Sequence, residues 1–538
     1  MRHSLSRIAH RLHFHLSRPG QKKFDRALRQ VRETQEWIFR SQLRRSAATE
    51  AGHALGLRED MSLEAFQEAV PLTDYEYWRG AVERQWQQGH NVLTGEVCGR
   101  YQPSGSSEEA VKWIPYGPTV LHQIEAAVDP WLSELYNQEP RLRVGKHFWS
   151  FPWVPADYAG RVGNLHEHVG LSLAKRRVLA ATSVVPPWMV YTSRYDAFIL
   201  ANLCQLAAAR DLSFLSVWSP VFALDLLEAL SQRRDEVAAV LNGTETLVDT
   251  AGHPLNAQAA ALLQEWDGHL SPEFLRELWP SLGVVSASDG AAAAPWADAV
   301  RALLPAVRFQ GKGLWGPEGV VTLPYRGSYP LAVRSHFYEF VDLDSEAVVP
   351  AWQLEQGQEV RPVLTTASGL LRYALPDRLL VSGFMQECPT FTYLGRAGSV
   401  DIVGERLNPT VAETLLSSLH NMPARKPLTL IGVDAGRPAK RPFYLVLCEG
   451  SENAASDQQL AARLEIQLRE HFHYDLARDL GHLAPLQCFT TRQARAIIRY
   501  FGERKNRIVG DTRPEPLIHW EGDLHPLLEA FLAQDAAA

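Results

Sequence analysis

Apolar residues return at helical spacing early in the chain. Phe24, Leu28, Val31, Ile38 and Leu43 share one face among interleaved Arg and Glu, which predicts an amphipathic helix packed on a larger body. Thr73 and Glu76 form a capping-box pattern, so a second helix is expected to open there, run through Trp78 and stop before Gly89. Residues 197–232 hold two more, the second opening with Ser219 as N-cap and Pro220 at the first helical position. Between the helices, Phe214–Val217, Gly283–Val285, Gly319–Leu323 and Phe337–Val341 read as short strands. Helices alternating with strands predict a mixed α/β core.

The texture changes after Arg396. Residues 400–403 read as a strand, Asn408-Pro409 open a helix with Val411, Leu415 and Leu419 on one face, and Leu428–Val433 and Phe443–Cys448 read as strands. Ser456 then caps a helix carrying Leu460, Leu464, Leu468 and Phe472, completing a βαββα unit. Gly395–Ser399 has the small-residue content of a hinge. The expected organisation is therefore a large domain at 1–396, with N-terminal helices over 1–60, and a small one at 397–538.

Composition and charge act on this picture by exclusion. Hydrophobic residues make up 46% and charged residues 21% of the 538, values of an ordinary globular protein rather than a disordered one. Lys+Arg number 54 against 61 Asp+Glu, a formal charge of −7, so no overall basic field favours nucleic acid. The five cysteines are scattered with no C-x-x-C, which argues against a disulfide framework and a thiolate zinc site and points to a reducing, cytoplasmic compartment. The basic N-terminus spaces Leu5, Ile8 and Leu12 among charges with no continuous apolar run, so neither a secretory leader nor a transmembrane segment is expected.

Three constellations could carry chemistry. Ser104-Gly105-Ser106-Ser107, followed by Lys112, offers hydroxyls and backbone N–H groups to phosphate oxygens with a lysine as countercharge, although the Walker spacing is absent. Gln310–Gly319 is glycine-dense and carries Glu318, the type of hard oxygen donor that holds Mg²⁺ beside phosphates. Asp377, in Tyr373–Arg378, can accept both hydroxyls of a ribose. Each taken alone has an ordinary counterpart: a polar surface loop, a solvated loop carboxylate and a Pro-Asp turn. His166-Glu167-His168 and His471-Phe472-His473 lack a third ligand nearby, and there is no G-x-S-x-G elbow, which weakens a metal site and a serine hydrolase respectively.

In order and separation these segments resemble the auxin-responsive Gretchen Hagen family of acyl-acid amido synthetases, and more closely its bacterial branch, within the adenylate-forming superfamily. The resemblance runs through the early helix with Gln35, Ser104–Tyr116, Phe214–Phe222, Leu278–Gly290, Gln310–Val321, Phe337–Asp342 and Gly369–Phe384. It implies a large N-terminal α/β domain of the adenylate-forming type with a small mobile α+β C-terminal domain. It also implies a two-step ligase in which ATP and a carboxylic acid give an acyl-adenylate that an amine, typically of an amino acid, converts to an amide. On that resemblance Ser104, Gly105, Ser106, Ser107 and Lys112 form the phosphate loop, Glu318 binds Mg²⁺, Asp377 takes the ribose, and Arg396 reaches the nucleotide from the hinge. On the same resemblance Lys112 and Arg513 would stabilise charge on the phosphates; Trp218 and Trp315, read from residue type alone, could wall an acyl pocket or be plain aromatic core.

The chain also departs from the family pattern. Glu108 and Glu109 follow the serines where glycine is usual, and carboxylates beside a triphosphate repel it unless they point away. Ala374 and Pro376 replace an Arg and a Gly ahead of Asp377, and Arg513 stands where a lysine is expected, keeping the charge but changing reach and fork geometry. Those substitutions keep open a nucleotide- or acyl-binding pseudoenzyme. A thioester synthetase with a thiol acceptor shares the same first step and also stays open.

Overall fold

The amphipathic stretch around Phe24 is two helices rather than one in the computed structural model. Helix Arg2–Ala27 carries Phe24, and helix Val31–Ala47 buries Val31, Ile38, Phe39 and Leu43. The break falls where the Leu28 carbonyl accepts from Glu387 N at 3.0 Å, a partner far along the chain. Gln35 locks the second helix in place: its Nε2 donates to the carbonyls of Val333 and His336 at 2.8 and 2.9 Å, and its Oε1 accepts from Tyr338 N at 2.9 Å. The structure describes residues 2–104, 112–151, 153, 173–186, 189, 192, 194–247, 252, 254–396, 400, 402–403, 405, 407–419, 425–434, 441–451, 454–479, 481–504 and 515–535. Contacts divide the chain into two units, Met1–Leu394 and Gly395–Ala538.

The helix expected from Thr73 runs over Tyr75–Gln88, and its cap is Asp74, which accepts from Tyr77 N. Thr73 is unavailable for capping because its hydroxyl donates to the Leu371 carbonyl and accepts from the Trp78 indole. Gly89 ends the helix at φ 84°, the left-handed conformation glycine adopts most readily.

Among the described residues four sheets build the first unit. Strands β1 (Arg100–Ser104) and β2 (Lys112–Tyr116) form an antiparallel hairpin. A parallel sheet follows in the order β3 (Lys146–Trp149), β4 (Leu212–Ser216), β5 (Val284–Ala287) and β6 (Arg308–Gly311), connected through helices that include Tyr195–Ala208 and Pro220–Gln232. Every residue of β4 and β5 is buried, as expected of parallel strands covered on both faces. Strands β7 (Trp315–Gly316) and β8 (Gly319–Val320) make a second small hairpin. The last sheet runs β10 (Val348–Pro350), β9 (Phe337–Asp342), β11 (Glu359–Thr365), β13 (Asp377–Met385) and β14 (Cys388–Arg396), with β12 (Tyr373–Ala374) paired to β11. One apolar core joins Phe24, Ile38 and Phe66 to Trp131, Phe214, Phe337 and Phe391.

The second unit is richer than the βαββα pattern. Its sheet runs β17 (Gln487–Thr491), β16 (Phe443–Gly450), β15 (Arg425–Asp434) and β18 (Leu517–Glu521), with β15 and β16 antiparallel and both outer strands parallel to their neighbours. Residues 402–403 are not a strand, because the N–H groups of Ile402 and Val403 are held by the Glu405 carboxylate at 2.9 and 2.8 Å. Asn408 caps helix Pro409–Ser417 by accepting from Val411 N. Ser456 lies inside helix Ala454–Leu468 rather than capping it. Leu415, Leu430, Tyr444, Leu460 and Leu464 centre the core of this unit. Helix and strand together give a mixed α/β fold. No helix among the described residues is long and apolar enough to cross a membrane.

Candidate functional site

The carboxyl edge of a parallel sheet is where α/β proteins place ligands, since the chain leaves each strand there into a loop. Here the register sets Trp149, Ser216, Ser286 and Gln310 side by side across β3 to β6. The segments that follow supply Trp218 after β4, Asp289 after β5 and Lys312 after β6.

Lys312 is 5% exposed, and its Nζ donates to Ser216 Oγ at 2.7 Å. That ammonium also lies 5.0 Å from the Trp218 ring centroid and 5.3 Å from that of Trp131, which helix Pro118–Gln138 delivers. Trp315 packs 5.6 Å from Trp131 and 6.3 Å from Trp218, and Trp149 packs 6.0 Å from Trp131. Burial among these rings pulls the Lys312 pKa down to about 7, because a charged ammonium is disfavoured where water is excluded. The two flanking glycines make the path possible. A Cβ at Gly311 would lie 2.1 Å from Asp289 Oδ1 and from the Tyr329 hydroxyl, and Gly313 turns the chain at φ 75° with no room beside Thr322.

Lys112 and Glu318 stand on two hairpins that are tied together. Ser104 ends β1 opposite Lys112 in register, while its side chain, together with Gly105, Ser106 and Ser107, lies outside the described residues. Half-buried Lys112 holds its Nζ 5.9 Å over the Tyr75 ring, whose hydroxyl accepts from Trp113 N at 2.8 Å. At the other end of β2 the Tyr116 hydroxyl donates to the Pro317 carbonyl at 2.7 Å, next to Glu318 in the turn between β7 and β8. The Val320 N–H donates to His336 Nε2 at 3.2 Å, and burial lowers the His336 pKa to about 3, which keeps the ring a neutral acceptor.

Asp377 opens β13 rather than sitting in a turn. It is 3% exposed and accepts from the Tyr393 hydroxyl at 2.9 Å. The Tyr393 ring in turn lies against Gly290, where a Cβ would approach it to 3.2 Å, so Asp377 is linked to the loop after β5. Arg396 ends β14 half-buried, and Arg513, Glu108, Glu109 and His166–His168 lie outside the described residues. The structure thus packs Trp218 with Trp315, and ties the turn of Glu318 to the far end of the strand that Lys112 opens, without a contact between Lys112 and Glu318 among those described. It adds Lys312, Trp131 and Trp149, which the motif reading did not select. The available signal was a lysine between two glycines at the end of a strand.

Among the described residues no group of three or more His, Cys, Asp or Glu could hold a metal ion. A single carboxylate still suits Mg²⁺, which is usually bound by one or two carboxylates together with substrate phosphates and water.

Known proteins share this architecture. A relative, the probable indole-3-acetic acid-amido synthetase GH3.4 of Oryza sativa subsp. japonica, is 24% identical over 431 residues, 69% of this chain and 66% of that one, so the match spans just under two thirds of the relative's length. The solved GH3.15 acyl acid amido synthetase superposes with a TM-score of 0.78 at 17% identity, covering 94% of both chains. AtGH3.15 acyl acid amido synthetase in complex with 2,4-DB gives a TM-score of 0.80 at 18% identity, covering 96% of both, and these two likenesses establish the fold. The GH3 family N-terminal domain matches residues 20–309 and the GH3 family central domain residues 329–396. With more than half of its length inside the first of those matches, the chain belongs to the GH3 family.

Proposed function

We propose that the chain is an ATP-dependent ligase that adenylates a carboxylic acid and transfers the acyl group to an amine, that of an amino acid, to form an amide. The observation that carries this reading is the Tyr116–Pro317 hydrogen bond, which fixes the Lys112 hairpin against the Glu318 turn in a chain of the GH3 family. The relatives named above as amido synthetases support it.

A free carboxylate is a poor acyl donor because its leaving group would be oxide. In the first step a carboxylate oxygen attacks the α-phosphorus of ATP and the bond to pyrophosphate breaks. In the second the neutral amine attacks the acyl carbon, AMP departs with the electron pair, and the amine proton passes to solvent. Lys112, with the Ser104–Ser107 loop, would counter the phosphate charge, and Asp377 would accept the ribose hydroxyls. Glu318 would hold Mg²⁺, which neutralises phosphate charge when bound. Arg396 and Arg513 are assigned to the nucleotide on family resemblance, and Trp218 and Trp315 to the acyl pocket as large aromatic surfaces packed on each other. All five cysteines are free thiols, which suits a cytoplasmic setting.

The test is acid-dependent ATP–pyrophosphate exchange with Mg²⁺ and a panel of aryl, indolyl and fatty carboxylic acids, followed by AMP release on adding amino acids. Exchange should depend on an acid and fall about a hundredfold in Lys112→Ala, the usual loss for one charge-stabilising contact. Exchange followed by consumption of the adenylate by coenzyme A alone would make the chain a thioester synthetase. ATP binding without exchange would make it a pseudoenzyme.

A further inference from the structure

Buried cations are normally matched by carboxylates, because an isolated charge away from water is costly. Among the described residues Lys312 has no such match. Its hydrogen bond goes to the neutral Ser216 hydroxyl, its other neighbours are the Trp131 and Trp218 faces, and no ionised side chain contributes to its charge state. An ammonium has three donors, so this site leaves donor capacity unspent.

Other buried polar groups along the same strand edge are unpaired as well. Trp149 Nε1 and the hydroxyls of Ser219 and Ser286 are buried with no hydrogen-bond partner among the described residues. Trp149 and Ser286 are the register neighbours of Ser216 on the two adjoining strands, and Ser219 follows Trp218. An indole N–H and an ammonium can only donate. What completes such a group is a small anion with several acceptor lone pairs, and what the indoles of Trp131, Trp218 and Trp315 accommodate is the organic part attached to it.

We propose that Lys312 is the counter-ion for the carboxylate of the acid substrate, holding it at the carboxyl edge of the parallel sheet with its organic part against Trp131, Trp218 and Trp315. This inference rests on the ligase reading for the identity of its ligand, but carboxylate binding can be measured without turnover. An alternative bearer of the same group is the carboxylate of the amino-acid acceptor, and the arms below separate the two.

The experiment compares the full chain with Lys312→Met, and with Lys312→Gln as a second neutral variant should the first fold poorly. Binding of phenylacetate, indole-3-propionate and hexanoate, each against its neutral primary amide, is followed by tryptophan fluorescence without ATP. The intact chain should bind at least one carboxylate about tenfold or more tighter than its amide, the scale of a charge-assisted hydrogen bond. Both variants should lose that preference while ATP affinity is unchanged. In turnover, the acid KM should rise by a similar factor and the amino-acid KM should stay. A preference retained in the variants, no preference in the intact chain, or a change confined to the amino-acid KM would each overturn the assignment. A lysine-dependent preference without any pyrophosphate exchange would sink the ligase reading alone. Exchange with an acid KM unmoved in the variants would sink the role of Lys312 alone.

Discussion

Arg372 and Lys312 are two cations of the same unit, buried to nearly the same degree, and their surroundings are opposite. The Arg372 side chain is 6% exposed and that of its partner Glu339 1%, with Nε 3.2 and 3.1 Å from the two carboxylate oxygens. Its Nη1 donates to the carbonyls of Gln67 and Val70 at 3.0 and 2.7 Å, and Gln67 Nε2 donates to Glu339 at 2.8 Å. That charge is consumed by the fold: it pins helix Leu63–Ala69 to β9. Lys312, at the end of β6, meets one hydroxyl and two indole faces. A buried charge matched by a carboxylate is consumed by the architecture, whereas one with no carboxylate and unspent donors is the kind of group that a ligand can complete.

The largest effect expected from breaking this contrast is at the paired site. Arg372→Met leaves Glu339 as an uncompensated buried carboxylate and should lower stability by about 3–5 kcal/mol, read from the urea midpoint at pH 7. A loss below about 1 kcal/mol would show that the pair is not what holds β9 to the helix.

Lys312→Met should shift stability in the other direction. The folded pKa is pulled from 10.5 to about 7 while the unfolded chain keeps the ordinary value. The unfolded state therefore binds the extra proton between those two pH values, so stability climbs with pH across that window. The penalty is fully present below about pH 7 and gone above about pH 10.5, and the shift corresponds to an upper bound of about 5 kcal/mol. Part of it is returned by the contacts with Trp131 and Trp218, so the variant should gain about 1–4 kcal/mol at pH 6 and almost nothing at pH 10. Unfolding both proteins at the two pH values checks this. A variant less stable at pH 6 would mean that the ammonium serves the fold after all.

The same contrast shows what could be read along the chain. Local signals were legible: Asn408 before Pro409 caps its helix, Gly89 ends another in the left-handed region, and Ser219-Pro220 marks a third start. Signals that depend on distant partners were not. Thr73 has the side chain of a cap, but Leu371 and Trp78 claim its hydroxyl and Asp74 takes the role. Strands β17 and β18 are five residues each and are held by parallel pairing to β16 and β15, which no short-range pattern announces. Of the site, Lys112, Glu318 and Asp377 came from motif order. Lys312 reads as a solvated residue in a glycine-rich loop until helix Pro118–Gln138 and the loop after β4 converge on it.

The smallest expected effect isolates the Lys312 site most cleanly. Ser216 Oγ is the hydrogen-bond partner of the Lys312 ammonium among the described residues, and Ser216 itself is 3% exposed, so Ser216→Ala removes one charge-assisted bond and opens no path to water. The loss should be about 1.5 kcal/mol at pH 6, where the amine is protonated, the low end for a bond to a charged group. In the Lys312→Met background the same substitution should cost little, since the hydroxyl then has no ammonium to accept from. The difference between those two losses is the coupling energy of the pair, measured free of the packing change that each substitution makes by itself. A coupling near zero would mean that the hydroxyl is incidental to the lysine. A coupling of the expected size, joined to a weaker carboxylate preference in Ser216→Ala, would show that the strand edge positions the ammonium and does not merely bury it.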